Sequence, residues 1–433
     1  MTSEETLLRA LFAAAIASAA PANCLPPFLP PPPRGKLIIL AGGKAAASMT
    51  AAALAHYREN FPSQMTRVSG LAVTRRLHTC PTAPIELIEA GHPIPDAIGA
   101  TASERILDLA GSAQADDLVL VLLSGGASAL WVAPALGVDL AAKQALTKAL
   151  LRAGANILEI NTVRRHLSRI KGGRLAKATA GASVLTLAIS DVPGDDPVTI
   201  GSGPTAPDPS TLADARAVLT RYRLAPSPPI GAALSDPANE SPKPGDPDFL
   251  RTRYEIVARP KQALAAAAEV AAKAGYQPIL LGDAIEGEAR AVATAHARLA
   301  RELAAGGGRL ALLSGGELTV RVTGAGKGGP NQEYALALAL ALGEDPRFHA
   351  LAGDTDGSDG GDGAPDAPAG AIVDMSLLKR AAMRGLDAAA FLANNDSTSF
   401  LTALAASLST GPTLTNVNDF RAILVDSEKA IAR

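Results

Sequence analysis

Glycine stands beside residues able to bind an anion at three places, each directly after an apolar run. Gly42-Gly43-Lys44 separates a predicted strand from a predicted helix, and LLSGG occurs twice, at residues 122–126 and 312–316. A glycine turn lets a ligand approach backbone N–H groups, and a nearby lysine can neutralise its charge. The flanks of the two LLSGG copies differ, which argues against a duplicated domain. Ordinary tight turns and a solvent-facing lysine are the simpler interpretation of the same residues.

The segment SDVPGDDPVTIGSGPTAPDPST, residues 190–211, is too rich in aspartate, proline and glycine for a helix or a strand. Long irregular loops inside compact domains are usually functional. Asp191, directly after an apolar strand, could orient a hydroxyl nucleophile or accept its proton. Asp195 and Asp196 could instead hold a divalent cation, and a purely structural loop with aspartate caps stays open.

A basic cluster lies shortly before this segment, and its members are Arg164, Arg165, Arg169, Lys171 and Arg174. Such a cluster creates a field that attracts a polyphosphate. A solvated helix face is the alternative interpretation.

The stretch VTGAGKGGPNQEY, residues 322–334, has the GxGxxG spacing of a dinucleotide-binding turn at Gly324–Gly329. Asp354 lies about where the ribose-binding acid of such a site should lie. However, the preceding ELTVRVT alternates strictly, which predicts a half-exposed strand rather than a buried parallel one. Arg321 and Lys327 also suit terminal phosphates better than a pyrophosphate alone. Nicotinamide binding is therefore an alternative to a phosphate site here.

An acidic loop, residues 352–370, carries aspartates at positions 354, 356, 359, 362 and 366. It is not an EF-hand, because Asp359 stands where that motif needs glycine. We expect Asp354 and Asp356 to hold Mg²⁺ together with substrate phosphates, and a flexible acidic loop is the alternative. His92 and His166 are expected to be structural or to orient substrate, not to bind metal.

Composition excludes several classes of protein. A net charge of −2 argues against a nucleic-acid surface, and two cysteines provide neither a disulfide framework nor a metal cluster. No apolar run reaches the roughly 18 residues of a membrane span. The apolar N-terminal stretch follows an acidic rather than a basic leader, which favours a helix capped near Ser3 over a signal peptide. These features predict a cytoplasmic protein.

Apolar strands alternate with helical segments over the first half of the chain, which predicts a mostly parallel, three-layer α/β sheet. Ligands of such sheets bind beyond the carboxyl ends of the strands, where AGGK, LLSGG and SDVPGDD fall. In the basic region, we expect a helix capped at Asn161 or Thr162.

A polar, proline-rich stretch, residues 225–247, predicts a boundary between domains at 1–240 and 241–433. The 433 residues also exceed the size of one core. The second domain is expected to restart with the strand YEIVA. GGRLALLSGGELTVRVTG predicts two strands joined by a Gly-Gly turn, and EYALALALALG predicts a helix that begins near Pro330.

A series of motifs follows in chain order: GGKAAASM, EAGHPIPD, LLSGGASALW, NTVRRHLSRIKGGRLA, SDVPGDD with GSGPT, LLSGGELTVRVTGAGKGGPNQE, TDGSDG and LANNDST. In this order the motifs resemble those of the MOFRL-domain glycerate 2-kinases. Members of that family are often labelled hydroxypyruvate reductases. The resemblance extends from about residue 5 to residue 425. It implies a Rossmann-like N-terminal domain, a smaller α/β MOFRL-type domain and an active site in the cleft between them. The implied reaction is ATP-dependent phosphorylation of D-glycerate at its second-carbon hydroxyl, with Mg²⁺ as cofactor.

In the family, the residues that Lys44 and Arg321 match contact the substrate and the transferring phosphate, and we expect Asp191 to orient the hydroxyl. We expect the remaining substrate and phosphate contacts at Gly43, Ser124, Gly125, Gly126, Ser128, Arg164, Lys171, Asp195, Asp196, Ser314, Gly315, Glu317, Gly326, Lys327, Asn331, Gln332 and Asn394. The expected partners are D-glycerate and ATP, with no nucleic acid and no membrane, and a homodimer is a further prediction.

The chain departs from the family pattern in two places. Ala127 replaces the third glycine of SGGGSAL, and VTRRLHTCPT replaces a VTRYGH-like stretch, which leaves substrate contacts there open. The alternative function is an NAD(P)H-dependent hydroxypyruvate reductase. A non-catalytic sugar-acid sensor would keep the fold without the charged site residues. Lys44, Asp191 and Arg321 are all present, which argues against a sensor.

Overall fold

The structure is a computed structural model that describes residues 2–360 and 367–427. The helices are α1 (Ser3–Ser18), α2 (Pro21–Cys24), α3 (Ala46–Asn60), α4 (Ala97–Gly111), α5 (Ala127–Leu130), α6 (Leu140–Arg152), α7 (Ile157–His166), α8 (Arg174–Ala178), α9 (Leu212–Arg221), α10 (Pro228–Ser235), α11 (Pro260–Lys273), α12 (Ala289–Ala304), α13 (Pro330–Leu342), α14 (Leu377–Met383), α15 (Ala388–Ala393) and α16 (Ser397–Ala403). The strands are β1 (Leu37–Gly42), β2 (Val68–Arg75), β3 (Glu86–Ala90), β4 (Leu118–Leu123), β5 (Ser183–Ile189), β6 (Thr252–Ala258), β7 (Gln277–Gly282), β8 (Gly287–Glu288), β9 (Arg309–Gly316), β10 (Leu318–Thr319), β11 (Phe348–Asp354), β12 (Gly370–Asp374), β13 (Ser407–Leu408) and β14 (Asp419–Asp426).

The chain forms two compact units. The first unit comprises residues 21–257, and the second combines the residues up to 20 with those from 258 onward. No helix among the described residues is both long and apolar enough to cross a membrane.

The first unit is built on a six-stranded sheet in the order β3-β2-β1-β4-β5-β6. The pairs from β3 through β5 are parallel. β1 and β4 are apolar and buried along their whole length, as expected for parallel strands covered on both faces. This strand order is that of doubly wound nucleotide-binding sheets, and the order reverses between β1 and β4. The predicted parallel α/β sheet is confirmed.

The second unit contains a mixed six-stranded sheet in the order β13-β12-β11-β14-β9-β7. Within this sheet β7 and β9 pair in parallel, and the other neighbouring strands pair antiparallel. α13 packs against β11 and β12, and nearly all of its residues are buried. A helix that is apolar all round belongs in a core, so the helix predicted from EYALALALALG lies there.

The two units differ from the predicted division at residue 240 in two respects. β6, the strand YEIVA, does not restart the second domain, because it lies beside β5 in the first sheet. α1 belongs with the second unit, where it packs against α11, β11 and β14. Its Phe12 ring lies 5.9 Å from that of Phe420, and Ala19 accepts a 2.7 Å hydrogen bond from Thr415 Oγ1. Tertiary packing, rather than the proline-rich stretch, therefore sets the boundaries.

Three local predictions need correction. The cap of α1 is Thr2, whose Oγ1 accepts from Glu5 N at 3.1 Å. α7 begins at Ile157, after Asn156, because Asn156 and Glu159 form a reciprocal capping box. The strand predicted from ELTVRVT is reduced to the two residues of β10, which pair with β8 and not with β9.

Candidate active site

Two glycine turns interlock at the point where the first sheet reverses its strand order. β1 and β4 pair so that Gly42 lies opposite Leu123, and their following turns leave the sheet together. Lys44 N donates to Gly125 O at 2.8 Å, and Ala45 N donates to Ser124 Oγ at 2.9 Å. The first LLSGG and the AGGK turn therefore lie side by side at the carboxyl end of the sheet, where sheets of this kind bind ligands.

Glycine is required at two positions in this site. Gly43 has φ +129°, and a Cβ there would lie 2.2 Å from Ser124 Oγ. Gly126 has φ +85°, and its Cβ would lie 3.0 Å from the His92 ring and 3.4 Å from Lys44 Cγ. The absence of a side chain at Gly126 thus brings His92 and Lys44 to one spot.

Three buried or partly buried cations, Lys143, Arg164 and Lys171, form what we call the cation cluster. Ser128 O accepts from Arg164 at 3.2 Å and from Lys171 Nζ at 2.7 Å. Lys143 Nζ donates to Leu167 O at 2.7 Å. Within the described residues, every hydrogen-bond partner of these side chains is a neutral oxygen. Among the described residues, no carboxylate therefore forms a hydrogen bond with the basic groups of this cluster.

Burial shapes the electrostatics of the cluster. Burial, reinforced by the charge of Arg164, holds the pKa of both Lys143 and Lys171 well below the usual range. Burial also lowers the pKa of Arg164. Like charges in a desolvated place repel one another, and an anion would offset both the repulsion and the lost hydration.

Lys143 is not among the phosphate-binding residues expected from the sequence. It lies on α6 in line with the buried residues Leu146 and Leu150. A lysine at helical spacing within an apolar stripe was the available signal.

The rest of the predicted basic cluster has other partners. Arg165 is buried and pairs with Asp208 at 3.1 Å. Arg169 pairs with Glu104, and Arg174 donates to Arg165 O at 2.9 Å. A solvated helix face is therefore the wrong interpretation, and only Arg164 and Lys171 of the five join the phosphate-binding candidates.

Asp191 follows β5 at the same edge of the sheet as Ser124, because β4 and β5 pair in parallel. Asp195 has φ +56° in the turn beyond it. Asp196 accepts from Val198 N at 3.1 Å and from Thr199 Oγ1 at 3.0 Å. Asp196 therefore shapes its own turn.

The second LLSGG is not a ligand-facing turn. β9 continues through Gly316, and Ser314 is buried. Buried Arg421 donates from Nε to Ser314 Oγ at 3.3 Å and also to Gly315 O. Ser314 and Gly315, predicted to contact phosphate, instead hold Arg421 in the sheet.

The Gly324–Gly329 loop is tied to the segment Asn394–Asp396. Asn395 Oδ1 accepts from the backbone N–H of residues 323 and 324 at 2.8 and 2.9 Å. Asn394 accepts from residues 325 and 326 at 3.1 and 3.0 Å, and Asp396 Oδ1 accepts from Lys327 N at 3.1 Å. These amides are engaged by the protein and do not form the expected phosphate cradle. The loop instead presents the exposed side chains of Arg321 and Lys327.

Asn331 and Gln332 are buried at the start of α13 and donate hydrogen bonds to Asp359 of the acidic loop. Asp359 Oδ1 accepts from Asn331 N at 2.9 Å and from its Nδ2 at 3.1 Å. Asp359 Oδ2 accepts from Gln332 N at 2.8 Å and from its Nε2 at 3.0 Å. Burial, with a contribution from Asp419, raises the pKa of Asp359 to about 7. Asn331 and Gln332, expected to contact phosphate, therefore bind Asp359 instead.

The acidic loop brings Asp354 and Asp356 together. Asp354 Oδ1 accepts from Asp356 N at 2.9 Å, and Asp356 Oδ1 accepts from Ser358 N at 2.8 Å. Within residues 2–360 and 367–427, no group of three or more His, Cys, Asp or Glu side chains is arranged to hold a metal. The aspartates at 362 and 366 lie outside the described residues. Exposed Glu317 and Asn394 complete the predicted positions in the second unit.

The fold and its glycine turns place the chain in a defined class of protein. Residues 7–235 match a domain of unknown function, DUF4147, and residues 310–419 match the MOFRL family. A solved structure, glycerate kinase from Thermotoga maritima, superposes with a TM-score of 0.86 at 36% identity, covering 98% of this chain and 99% of that one.

Relatives with names carry the assignment further. A D-glycerate 2-kinase of Thermotoga maritima is 39% identical over 355 residues, which are 81% of this chain and 82% of that protein. A putative hydroxypyruvate reductase of Agrobacterium vitis is 44% identical over 429 residues, which are 98% of this chain and 95% of that protein. The chain belongs to the glycerate 2-kinase family, as its motifs predicted.

Proposed function

We propose that this chain transfers the γ-phosphoryl group of ATP to the second-carbon hydroxyl of D-glycerate, giving 2-phosphoglycerate and ADP. The observation that carries the proposal is the pair of interlocked turns that set Lys44 beside Gly125 and Gly126 at the switch point. The Thermotoga maritima relative, whose name states this kinase activity, supports it.

The proposed chemistry divides the work among three side chains. Asp191 accepts the hydroxyl proton as the glycerate oxygen attacks the γ-phosphorus. The bond from that phosphorus to the bridging oxygen breaks, and ADP leaves with the electron pair. Lys44 and Arg321 neutralise charge on the transferred group, because phosphoryl transfer depends mainly on positioning and charge neutralisation.

Magnesium is proposed as the cofactor, with Asp354 and Asp356 as its protein ligands. Mg²⁺ is commonly held by one or two carboxylates while phosphates and waters complete its shell. Asp354 and Asp356 lie two residues apart, with Asp354 Oδ1 accepting from Asp356 N, and the ion would add positive charge near the phosphates.

The test is an assay with D-glycerate, ATP and Mg²⁺ in which enolase detects 2-phosphoglycerate without added mutase. We expect signal from the wild type and its loss in Lys44→Ala. If ADP is released but enolase gives a signal only after mutase is added, the phosphate is on another hydroxyl. ADP release that D-glycerate does not stimulate would contradict the substrate.

A hydroxypyruvate reductase is the second candidate, because the Agrobacterium vitis relative bears that name. The only GxGxxG in the chain is at Gly324–Gly329, and amides of that loop donate to Asn394–Asp396 rather than facing a pyrophosphate. A parallel reaction with hydroxypyruvate and NADH or NADPH decides the matter. Oxidation of the nicotinamide without ADP formation would overturn the kinase proposal.

A cytoplasmic location and a homodimer complete the proposal. Light scattering of the purified chain tests the second of these, since a monomeric mass at assay concentration would contradict it.

A further inference from the structure

A large cavity opens in the first unit beside the cation cluster. Its volume is about 740 Å³, which lies in the range of small-molecule sites. Lys143, Arg164 and Lys171 line one part of it. The cation cluster and the exposed side chain of Lys148 together make up the charged part of the wall.

Exposed aliphatic side chains line another part of the wall. Ile94, from the loop after β3, is 70% exposed, Leu151 of α6 is 60% exposed, and Ile157 of α7 is 57% exposed. All three line this one cavity. Large aliphatic side chains left this open at a single pocket indicate a ligand with an apolar face.

We propose that this cavity binds the nucleotide, with the base against the apolar wall and the phosphates against the cation cluster. Lys143 then becomes a phosphate-binding residue beyond those expected from the sequence. The inference rests on the proposed kinase function and adds to it the unit and the pocket that take the phosphate donor.

The connection to the glycine turns supports the direction of the phosphate chain. Arg164 and Lys171 both donate to Ser128, which lies two residues after Gly126. Lys44 lies beside Gly126. A phosphate chain that starts at the cluster would therefore lead toward the turns where phosphoryl transfer is proposed.

The other substrate does not suit this cavity. D-glycerate is a three-carbon acid with one negative charge and no apolar face. It would leave both the aliphatic wall and most of the positive charge without a partner. A nucleoside triphosphate supplies a flat base and several charges, and it uses both parts.

Adjacent residues provide a matched test of the wall. Ile157 lines the cavity, whereas its neighbour Leu158, 62% exposed, does not. Ile157→Glu places a negative charge where the base should lie, and Leu158→Glu is the control. For the cluster, Lys143→Met is compared with Lys177→Met, a change at an exposed lysine outside the cavity.

Two measurements are made on each variant of the full chain. Calorimetry follows binding of the β,γ-imido analogue of ATP, and steady-state kinetics give KM for ATP and for D-glycerate separately. We expect Ile157→Glu and Lys143→Met each to weaken analogue binding and raise KM for ATP by roughly tenfold or more. KM for D-glycerate should change less than about twofold, and both controls should match the wild type.

The outcomes separate the two proposals. A rise in KM for D-glycerate with unchanged analogue binding would overturn the inference and assign the cavity to the acid. Equal analogue binding by Ile157→Glu and Leu158→Glu would also overturn it. If the wild type binds the analogue but does not phosphorylate D-glycerate, and Ile157→Glu abolishes binding, the nucleotide pocket stands while the proposed function fails.

Discussion

Two neighbouring arginines on α7 should have opposite effects when replaced. Arg165 is buried and pairs with buried Asp208 at 3.1 Å. Arg164 donates only to neutral groups among the described residues and lies beside Lys143 and Lys171. Arg165→Met should therefore destabilise the first unit, whereas Arg164→Met should impair nucleotide binding and leave stability nearly unchanged.

The magnitude follows from what each substitution leaves behind. Arg165→Met leaves the Asp208 carboxylate buried without its cation, and breaking a buried pair typically costs about 3–5 kcal/mol. Asp208 keeps hydrogen bonds from Ser210 N at 3.0 Å and Ser210 Oγ at 2.7 Å. These bonds place the expected loss at the lower end, about 3 kcal/mol.

The chain offers a matched control in the same unit. Arg105 and Glu86 form an exposed pair, with 46% and 53% of their side chains accessible. Exposed pairs contribute about 0–1 kcal/mol, so Arg105→Met should change the free energy of unfolding by no more than that. Arg164→Met should also stay within about 1 kcal/mol of the wild type, because it removes a cation that repels its neighbours.

The assay is urea unfolding followed by circular dichroism, together with KM for ATP. If Arg165→Met lowers the free energy of unfolding no more than Arg105→Met does, the buried pair does not stabilise the fold as expected. If Arg164→Met destabilises the protein as much as Arg165→Met, Arg164 is structural and its role in the cation cluster is wrong.

Three further predictions concern the site and its support. Gly126→Val should reduce kcat/KM by about a hundredfold or more while the fold persists, because the valine side chain would displace His92 and Lys44. Gly137→Val is the control for backbone strain, since Gly137 also has a positive φ but lies in an open turn. Lys171→Met should raise KM for ATP roughly tenfold. Its thermal unfolding temperature should equal or exceed that of the wild type, because the substitution removes a buried charge. Folding raises the pKa of Asp359 from its ordinary value of 3.8 to about 7, so the folded state holds this proton more tightly. The free energy of unfolding should therefore fall as pH rises from about 4 through about 7, and Asp359→Asn should show less of that fall in urea unfolding at pH 5.5 and pH 8; identical pH dependence in both proteins would contradict this assignment.

The sequence by itself determined the elements and most of the first site. Uninterrupted apolar runs such as those of β1 and β4 can be satisfied only inside a covered parallel sheet, and glycine-rich segments after them must be turns. Because ligands bind beyond the carboxyl ends of such strands, the sequence alone assigns Lys44, Ser124 and Asp191 to one edge of the sheet. The specific motifs added the family and the reaction.

Tertiary structure decided which of the predicted site residues are bonded within the protein itself. The two LLSGG copies are identical in sequence, yet the first ends a strand at the switch point, whereas the second lies between β7 and β14 with its polar groups bonded to Arg421. The amides of the GxGxxG match are likewise bonded within the protein, because Asn394–Asp396 supplies acceptors from about 70 residues further along the chain. Long-range partners of this kind have no local signature.

The same reason explains the cation cluster. Arg164 and Arg165 are adjacent in sequence, but the helical rotation between them points one toward Ser128 and the other toward Asp208. Lys143 reaches the cluster only because α6 packs against α7. Local spacing sets which residues form a turn or a helix face, but the partner of a buried charge is set by packing across the whole unit, and that partner decides whether the charge supports the fold or is left for a ligand.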